Sequence, residues 1–162
     1  PDIVTVGKPM ANGHPVAAVL ARPDVMAAFR EAFGYFNTFG GNPVSAAACL
    51  ATLQVIDDEG LQTNAAKTSA HMTERLRDLH HPLLAETRTA GLFFGAEFVT
   101  DEAMTPATEF VADLVEDMVQ RGFLMNRIGR HGNTLKIRPP MPFSIEHADL
   151  LMDALEAALR IA

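Results

Sequence analysis

The apolar positions of this chain fall into two rhythms. Near the start they form short unbroken runs, Ile3 to Val6 and Val16 to Ala21. Short apolar runs rich in β-branched residues and bounded by turn residues read as buried strands. Gly7 and Lys8 end the first run. The turn-rich stretch from Pro9 to Pro15, with Asn12-Gly13 inside it, separates the two. Pro23-Asp24 opens a short helix through Arg30, because proline suits a first helical turn. Gly34 to Pro43 reads as a loop. Asn42 then caps, and Pro43 starts, a long helix that runs to about Glu59 and stops at Gly60. The first half of that helix, Ser45 to Ala51, is made of small residues that permit close packing.

Beyond Gly60 the rhythm becomes helical. Met72, Leu76 and Leu79 recur at helical spacing within Gln62 to His80, and Pro82 closes that helix. Glu86 to Arg88 and Leu92 to Val99 then read as strands, the second with one packed face. Ala107 to Arg121 is amphipathic and ends at Gly122. Phe123 to Asn126 and Thr134 to Ile137 form a strand pair joined by Gly129 to Asn133, and Pro139-Pro140 ends the second. Ser144 caps a last helix, with Leu150, Leu151, Leu155 and Leu159 expected on its buried side. Residues 61–162 are therefore expected to form a compact α+β domain. Residues 1–60 read as the tail of something larger, since two strands without partners do not make a stable sheet.

Composition narrows the function classes. A hydrophobic fraction of 48% with 20% charged residues over 162 positions is that of a packed globular chain. The net charge of −7 argues against a broad nucleic-acid surface, which relies on clustered Lys and Arg. One cysteine, Cys49, leaves no intrachain disulfide and points weakly to the cytoplasm. No apolar run has the length of a membrane helix. The chain lacks an initiating Met and starts within two residues of an apolar run, which reads as a fragment.

Three elements carry candidate chemistry. Lys8, one of three lysines, directly follows the first strand. Burial there would lower its pKa and favour the neutral amine that a nucleophile needs; the alternative is a lysine that reaches to solvent. The second element, Phe36 to Pro43, sets a hydroxyl and backbone N–H groups before a helix N-terminus, where a phosphate can bind. Otherwise it is a simple cap. Tyr35, Phe36 and Phe39 in that loop suggest that it is packed or interfacial rather than a solvated linker. The third is Leu135 to Pro140, where Lys136 and Arg138 share one strand face by alternation and could hold a carboxylate or a phosphate. A solvated edge strand would look the same.

Other residues attract no role. The six histidines, His14, His71, His80, His81, His131 and His147, are scattered, so no metal site is expected. Ser45 has no neighbouring base in sequence to support a hydrolase triad, and Gly40-Gly41 is no nucleotide fingerprint.

Taken in order, these segments resemble a family. Pro1 to Met10, continued by Asn12 to Val19, resembles the lysine segment of class III (fold type I) aminotransferases. Asn37-Thr38-Phe39-Gly40-Gly41-Asn42-Pro43 is similar to that family's next signature. Gly91 to Val99 resembles its C-terminal-domain strand, and Leu135 to Met141 its final strand. The resemblance implies an α/β fold: the tail of the large cofactor-binding domain in residues 1–60, then a small α+β domain. It implies that Lys8 forms the Schiff base with pyridoxal 5'-phosphate and moves the substrate Cα proton. Thr38 would bind the cofactor phosphate across a homodimer interface.

Departures from the family pattern bear on the substrate. The residue three positions before Pro139, where the family places a carboxylate-binding arginine, is Lys136, and Arg138 stands one before. Lysine lacks the planar fork of arginine. The Lys-Ile-Arg-Pro-Pro form resembles a subgroup that includes phospho-lyases acting on phosphorylated amines. Ala11 and Thr89 replace common glycines. The family's glycine-rich phosphate loop, stacking aromatic and pyridine-pairing acid all precede the lysine segment, so this stretch by itself is not expected to turn over substrate. Three readings follow: transfer of an amino group between an amine and a 2-oxo acid, elimination of phosphate from a phosphorylated amine, or a non-catalytic dimerisation domain.

Overall fold

The computed structural model describes residues 1–160. Two compact units divide the chain, Pro1–Glu59 and a second that begins at Gly60.

In the first unit β1 (Ile3–Val6) pairs antiparallel with β2 (Ala18–Ala21), with Ile3 opposite Ala21 and Val6 opposite Ala18. One turn of 3-10 helix, Lys8–Ala11, begins the connection. Arg22 fastens the base of the hairpin, donating to Asp2 at 2.8 Å and to Asp24 at 2.7 Å. Helices α1 (Pro23–Ala32) and α2 (Pro43–Asp58) complete the unit. Asn42 caps α2 by accepting from the Ser45 N–H at 2.9 Å, and Pro43 occupies the first turn.

The expectation of a buried first strand is not met. Ile3 and Val4 are exposed, as are Val19 and Leu20 on the paired strand. A two-stranded ribbon can bury an apolar face only against another layer, and this unit supplies none.

In the second unit α3 (Leu61–Arg77), α4 (Thr108–Gln120) and α5 (Ile145–Leu159) pack with a four-stranded antiparallel sheet. Its strands are β3 (Leu84–Ala90), β4 (Phe93–Phe98), β5 (Asn126–Ile128) and β6 (Thr134–Ile137), in the order β3-β4-β6-β5. Alternation sends Phe94, Ala96 and Phe98 of β4, with Leu135 and Ile137 of β6, into the core. Met72 and Leu76 of α3, Val111, Leu114 and Met118 of α4, and Leu151, Met152 and Leu155 of α5 meet them.

Two expectations shift here. The strand placed at Phe123 to Asn126 lies at Asn126–Ile128, because the chain turns at Gly122 (φ 91) before it reaches the sheet. Leu150 is exposed rather than buried: the α5 stripe runs through Ala148, Leu151, Met152, Leu155 and Leu159. With about 100° between successive helical residues, Leu150 falls off that stripe.

Ser144 caps α5 as its sequence suggests. The reciprocal acceptor is His147, whose Nδ1 receives the Ser144 N–H at 3.3 Å, in the place where Glu or Gln usually stands. A polar clasp joins α3 to α5. His71 Nε2 lies 2.6 Å from Asp149, and Arg75 donates to Asp149, Asp153 and Glu156 at 2.7–2.9 Å. The bond from His71, aided by Arg75, holds the Asp149 carboxyl below the usual carboxylate range. No helix among the described residues is long and apolar enough to cross a membrane.

Candidate functional site

Lys8 sits where β1 gives way to the 3-10 turn. Its φ is 49°, in the left-handed region that side-chain-bearing residues seldom adopt. Three hydrogen bonds in series hold the backbone that follows. Met10 N–H donates to Gly7 at 3.3 Å, Asn12 N–H to Pro9 at 2.9 Å, and His14 N–H to Ala11 at 3.1 Å. Ala11 is buried beneath them at 5% exposure, and the turn packs on α2. Lys8 itself is exposed, contrary to the expected partial burial, since nothing in the unit covers it. Its amine forms no ion pair among the described residues.

Ser45 is 7% exposed, and it is not without a base. His14 Nε2 lies 2.9 Å from its Oγ, which also accepts from Asn42 Nδ2 at 2.9 Å. The pairing spans 31 residues, so no local pattern in the sequence reveals it. No carboxylate orients the imidazole among the described residues, so this is not a hydrolase triad.

Thr38 lies in the exposed turn before α2. The backbone N–H groups expected for a phosphate are partly committed: Phe39 and Gly40 both donate to Asn37 Oδ1 at 3.1 Å. The first turn of α2 is likewise capped by Asn42. The Thr38 hydroxyl has no partner among the described residues and is free for an anion. Tyr35, Phe36 and Phe39 are not packed; Phe36 is 85% exposed.

The second unit carries the other two candidates. Lys136 is half-buried on β6, opposite Gly95 of β4 and Asn126 of β5. Gly95 is in turn opposite Arg88 of β3. Arg88 is neutralised by Glu97 at 2.7 Å and by Glu86. Lys136 has no such partner among the described residues. Strand β6 is interior, between β4 and β5, so the solvated-edge alternative is excluded. It stops at Ile137, one residue short of Arg138, so strand alternation does not by itself set those two cations on one face. The proline after Arg138 provides no N–H to extend the ladder.

In the first unit, a primary amine free of ion pairs and an unpartnered hydroxyl are groups that an aldehyde-bearing phosphate could use. In the second, the two cations could take an anionic group. Among the described residues no grouping of three His, Cys, Asp or Glu side chains could hold a metal ion.

Comparison with known proteins agrees. The family model for "Aminotransferase class-III" matches residues 1–159. Among curated relatives, alanine–glyoxylate aminotransferase 2 homolog 2, mitochondrial, of Arabidopsis thaliana is 39% identical over 162 residues, covering 98% of this chain and 34% of that protein. Ethanolamine-phosphate phospho-lyase homolog 1 of Caenorhabditis elegans is 37% identical over 165 residues, covering 99% of this chain and 35% of the relative. Among solved structures, a phospholyase from Arthrobacter in complex with phosphoethanolamine superposes with a TM-score of 0.95 at 41% identity, covering all of this chain and 39% of its own. A transaminase with L-alanine gives 0.91 at 33% identity, over 99% of this chain and 40% of the other. The chain thus spans about a third of the length of the curated relatives it matches. Aminotransferases and phospho-lyases both stand among these relatives, as the Lys-Ile-Arg-Pro-Pro resemblance implied.

Proposed function

The chain belongs to the class III aminotransferase family of fold type I, pyridoxal-phosphate-dependent enzymes, and from that premise we propose that it works as part of a longer aminotransferase. Residues 1–60 would be the end of the cofactor-binding domain and residues 61–162 the small domain. The reaction is transfer of an amino group between an amine or amino acid and a 2-oxo acid. One observation carries this reading: within a family match that covers residues 1–159, the lysine of the lysine segment stands unpaired on a turn held at φ 49°.

Pyridoxal phosphate, when bound, supplies the electron sink for charge left on the substrate carbon. Residues of this chain would supply part of what remains. Lys8 Nζ would hold the cofactor, and its amine would take and return the proton at the substrate Cα. The Thr38 hydroxyl would donate to the cofactor phosphate of the partner subunit in a homodimer, and that partner would cover Tyr35, Phe36 and Phe39. Lys136 and Arg138 hold the anionic group of the substrate, one as a point charge and one as a fork. Its single cysteine suits a reducing compartment such as the cytoplasm.

A second reading has a specific observation behind it. Lys136 stands without an ion pair where a point charge suits phosphate, and one structural neighbour is a phospholyase in complex with phosphoethanolamine. In that case the same lysine would serve elimination of phosphate. A third, non-catalytic dimerisation role applies if the longer protein takes up no cofactor.

The test is made on the full-length parent mixed with pyridoxal phosphate, reduced with borohydride and mapped by mass spectrometry. The label is expected on Lys8. Lys8→Ala should remove it and lower turnover by about 10²–10⁴-fold, the worth of a positioned acid–base group. A label on Lys67 or Lys136 overturns the assignment. Alanine formed from pyruvate selects transfer, and inorganic phosphate released from phosphoethanolamine selects elimination.

A further inference from the structure

His14, Ser45 and Asn42 make a continuous path between the two segments that bear Lys8 and Thr38. The three turns that begin at Gly7 end at His14. His14 Nε2 meets Ser45 Oγ at 2.9 Å, Asn42 Nδ2 donates to the same oxygen at 2.9 Å, and the same Asn42 amide donates to the Phe39 carbonyl at 3.0 Å. Phe39 is the neighbour of Thr38.

We propose that this His14–Ser45–Asn42 brace fixes the lysine turn and the threonine loop in one mutual geometry, which makes His14 and Ser45 positioning residues for the cofactor. The inference rests on the roles given above to Lys8 and Thr38.

Packing alone does not do this work. Among the described residues the first unit buries only Ala11, Ser45 and Cys49 below a tenth of their surface. Residues 34–41 are exposed throughout. Hydrogen bonds are therefore what set the shape of the loop, and at the turn they add to the contact of Ala11 and its neighbours with α2. A lysine at φ 49° also persists only where its surroundings hold it there, and the tether at His14 is one such hold. Ser45 is too buried for water to replace a lost partner freely, so loss of His14 leaves its hydroxyl short of a partner, and loss of Ser45 cuts the link between His14 and Asn42.

The experiment uses the full-length parent carrying His14→Leu, His14→Gln or Ser45→Ala. Three quantities are read: the dissociation constant for pyridoxal phosphate, the pH midpoint of the visible band of the Lys8-bound cofactor, and the melting temperature. His14→Leu and Ser45→Ala should weaken the cofactor about fivefold or more, on the scale of one lost buried hydrogen bond. They should also move the pH midpoint by roughly half a unit or more, since the amine's surroundings change. The glutamine amide can still reach Ser45 Oγ, so His14→Gln should recover most of both.

A brace that served stability alone would lower the melting temperature and leave affinity and midpoint unmoved; that result overturns the proposal. So does a glutamine variant no better than leucine. If His14→Leu does not fold, Ser45→Ala decides: weaker binding supports the brace, unchanged binding overturns it. The underlying reading fails separately. A wild-type parent with no label on Lys8 overturns both, whereas a labelled Lys8 with indifferent variants overturns the brace alone.

Discussion

Phe94, Phe98, Met72, Leu76, Met118, Leu135, Met152 and Leu155 are fully buried in the unit that begins at Gly60. The unit before it buries Ala11, Ser45 and Cys49 and leaves Ile3, Val4, Val19, Leu20, Phe36 and Phe39 exposed. The well-packed unit has a sheet with one covered face, three helices across it and a clasp of ion pairs between α3 and α5. The poorly packed one has the lysine at a strained backbone angle, the hydroxyl in the turn and the half-buried Ser–His contact. Stability and the candidate cofactor residues therefore lie in different stretches of the chain, while the two candidate substrate cations, Lys136 and Arg138, belong to the packed unit. Where burial is thin, local hydrogen bonds and backbone angles must hold the chemistry in place. Under the proposed function, its exposed strands and aromatics are the surface that the rest of a longer chain, or a second subunit, would cover.

Separating the two units should break the comparison most visibly. Residues from Gly60 onward, made alone, are expected to give one cooperative thermal transition by circular dichroism. Pro1–Glu59 alone should give none, because its apolar surface has no layer to bury against. A sharp melt from the first unit would show that its hairpin and α2 are self-sufficient, and the comparison would fall.

A smaller effect sharpens it within α5. Leu155 is fully buried and Leu150 is 61% exposed, five positions apart on one helix. Leu155→Ala should cost about 2–5 kcal/mol, for the lost burial and the cavity it leaves. Leu150→Ala should stay within about 0.5 kcal/mol. Denaturant unfolding of the second unit measures both. Equal costs would mean that Leu150 is covered in solution by something outside the chain.

Legibility in the sequence followed the same division. In the second unit hydrophobic period and caps were enough to place Met72 and Leu76 on α3, Phe94, Ala96 and Phe98 on one face of β4, and Ser144 before α5. These are local signals with a core to enforce them. Leu150 was misplaced because Leu150-Leu151 presents two apolar neighbours and only one can face inward. The position of β6 inside the sheet was hidden too, since strand order comes from pairings distant in sequence. In the first unit the apolar runs gave strands but not burial, because burial depends on a partner layer that no run can announce. Lys8 and Thr38 could be proposed only from the ordered motifs, since neither burial nor period singles them out. The His14–Ser45 contact was not, as it joins positions 31 apart with no periodic relation.

The smallest effect concerns pH and sits in the packed unit. His81 stacks on Phe110 at 5.1 Å and meets Phe98 edge-on at 6.2 Å. Burial there pushes its pKa below the ordinary value of 6.5. Its Nδ1 accepts the Leu83 N–H at 3.2 Å, which requires that nitrogen to be unprotonated. The folded state thus favours neutral His81, and the unfolded chain takes up the proton first as pH falls. The stabilisation is whole above about pH 6.5 and is lost as pH drops from there through the lower folded value. His81→Asn keeps an acceptor near Nδ1 but cannot titrate. Its melting temperature should fall less between roughly pH 7 and pH 5 than that of the unchanged protein, whatever the two absolute values. Parallel slopes would mean that protonated His81 is accommodated without cost, and that the aromatic contact with Phe110 survives a charge on the ring.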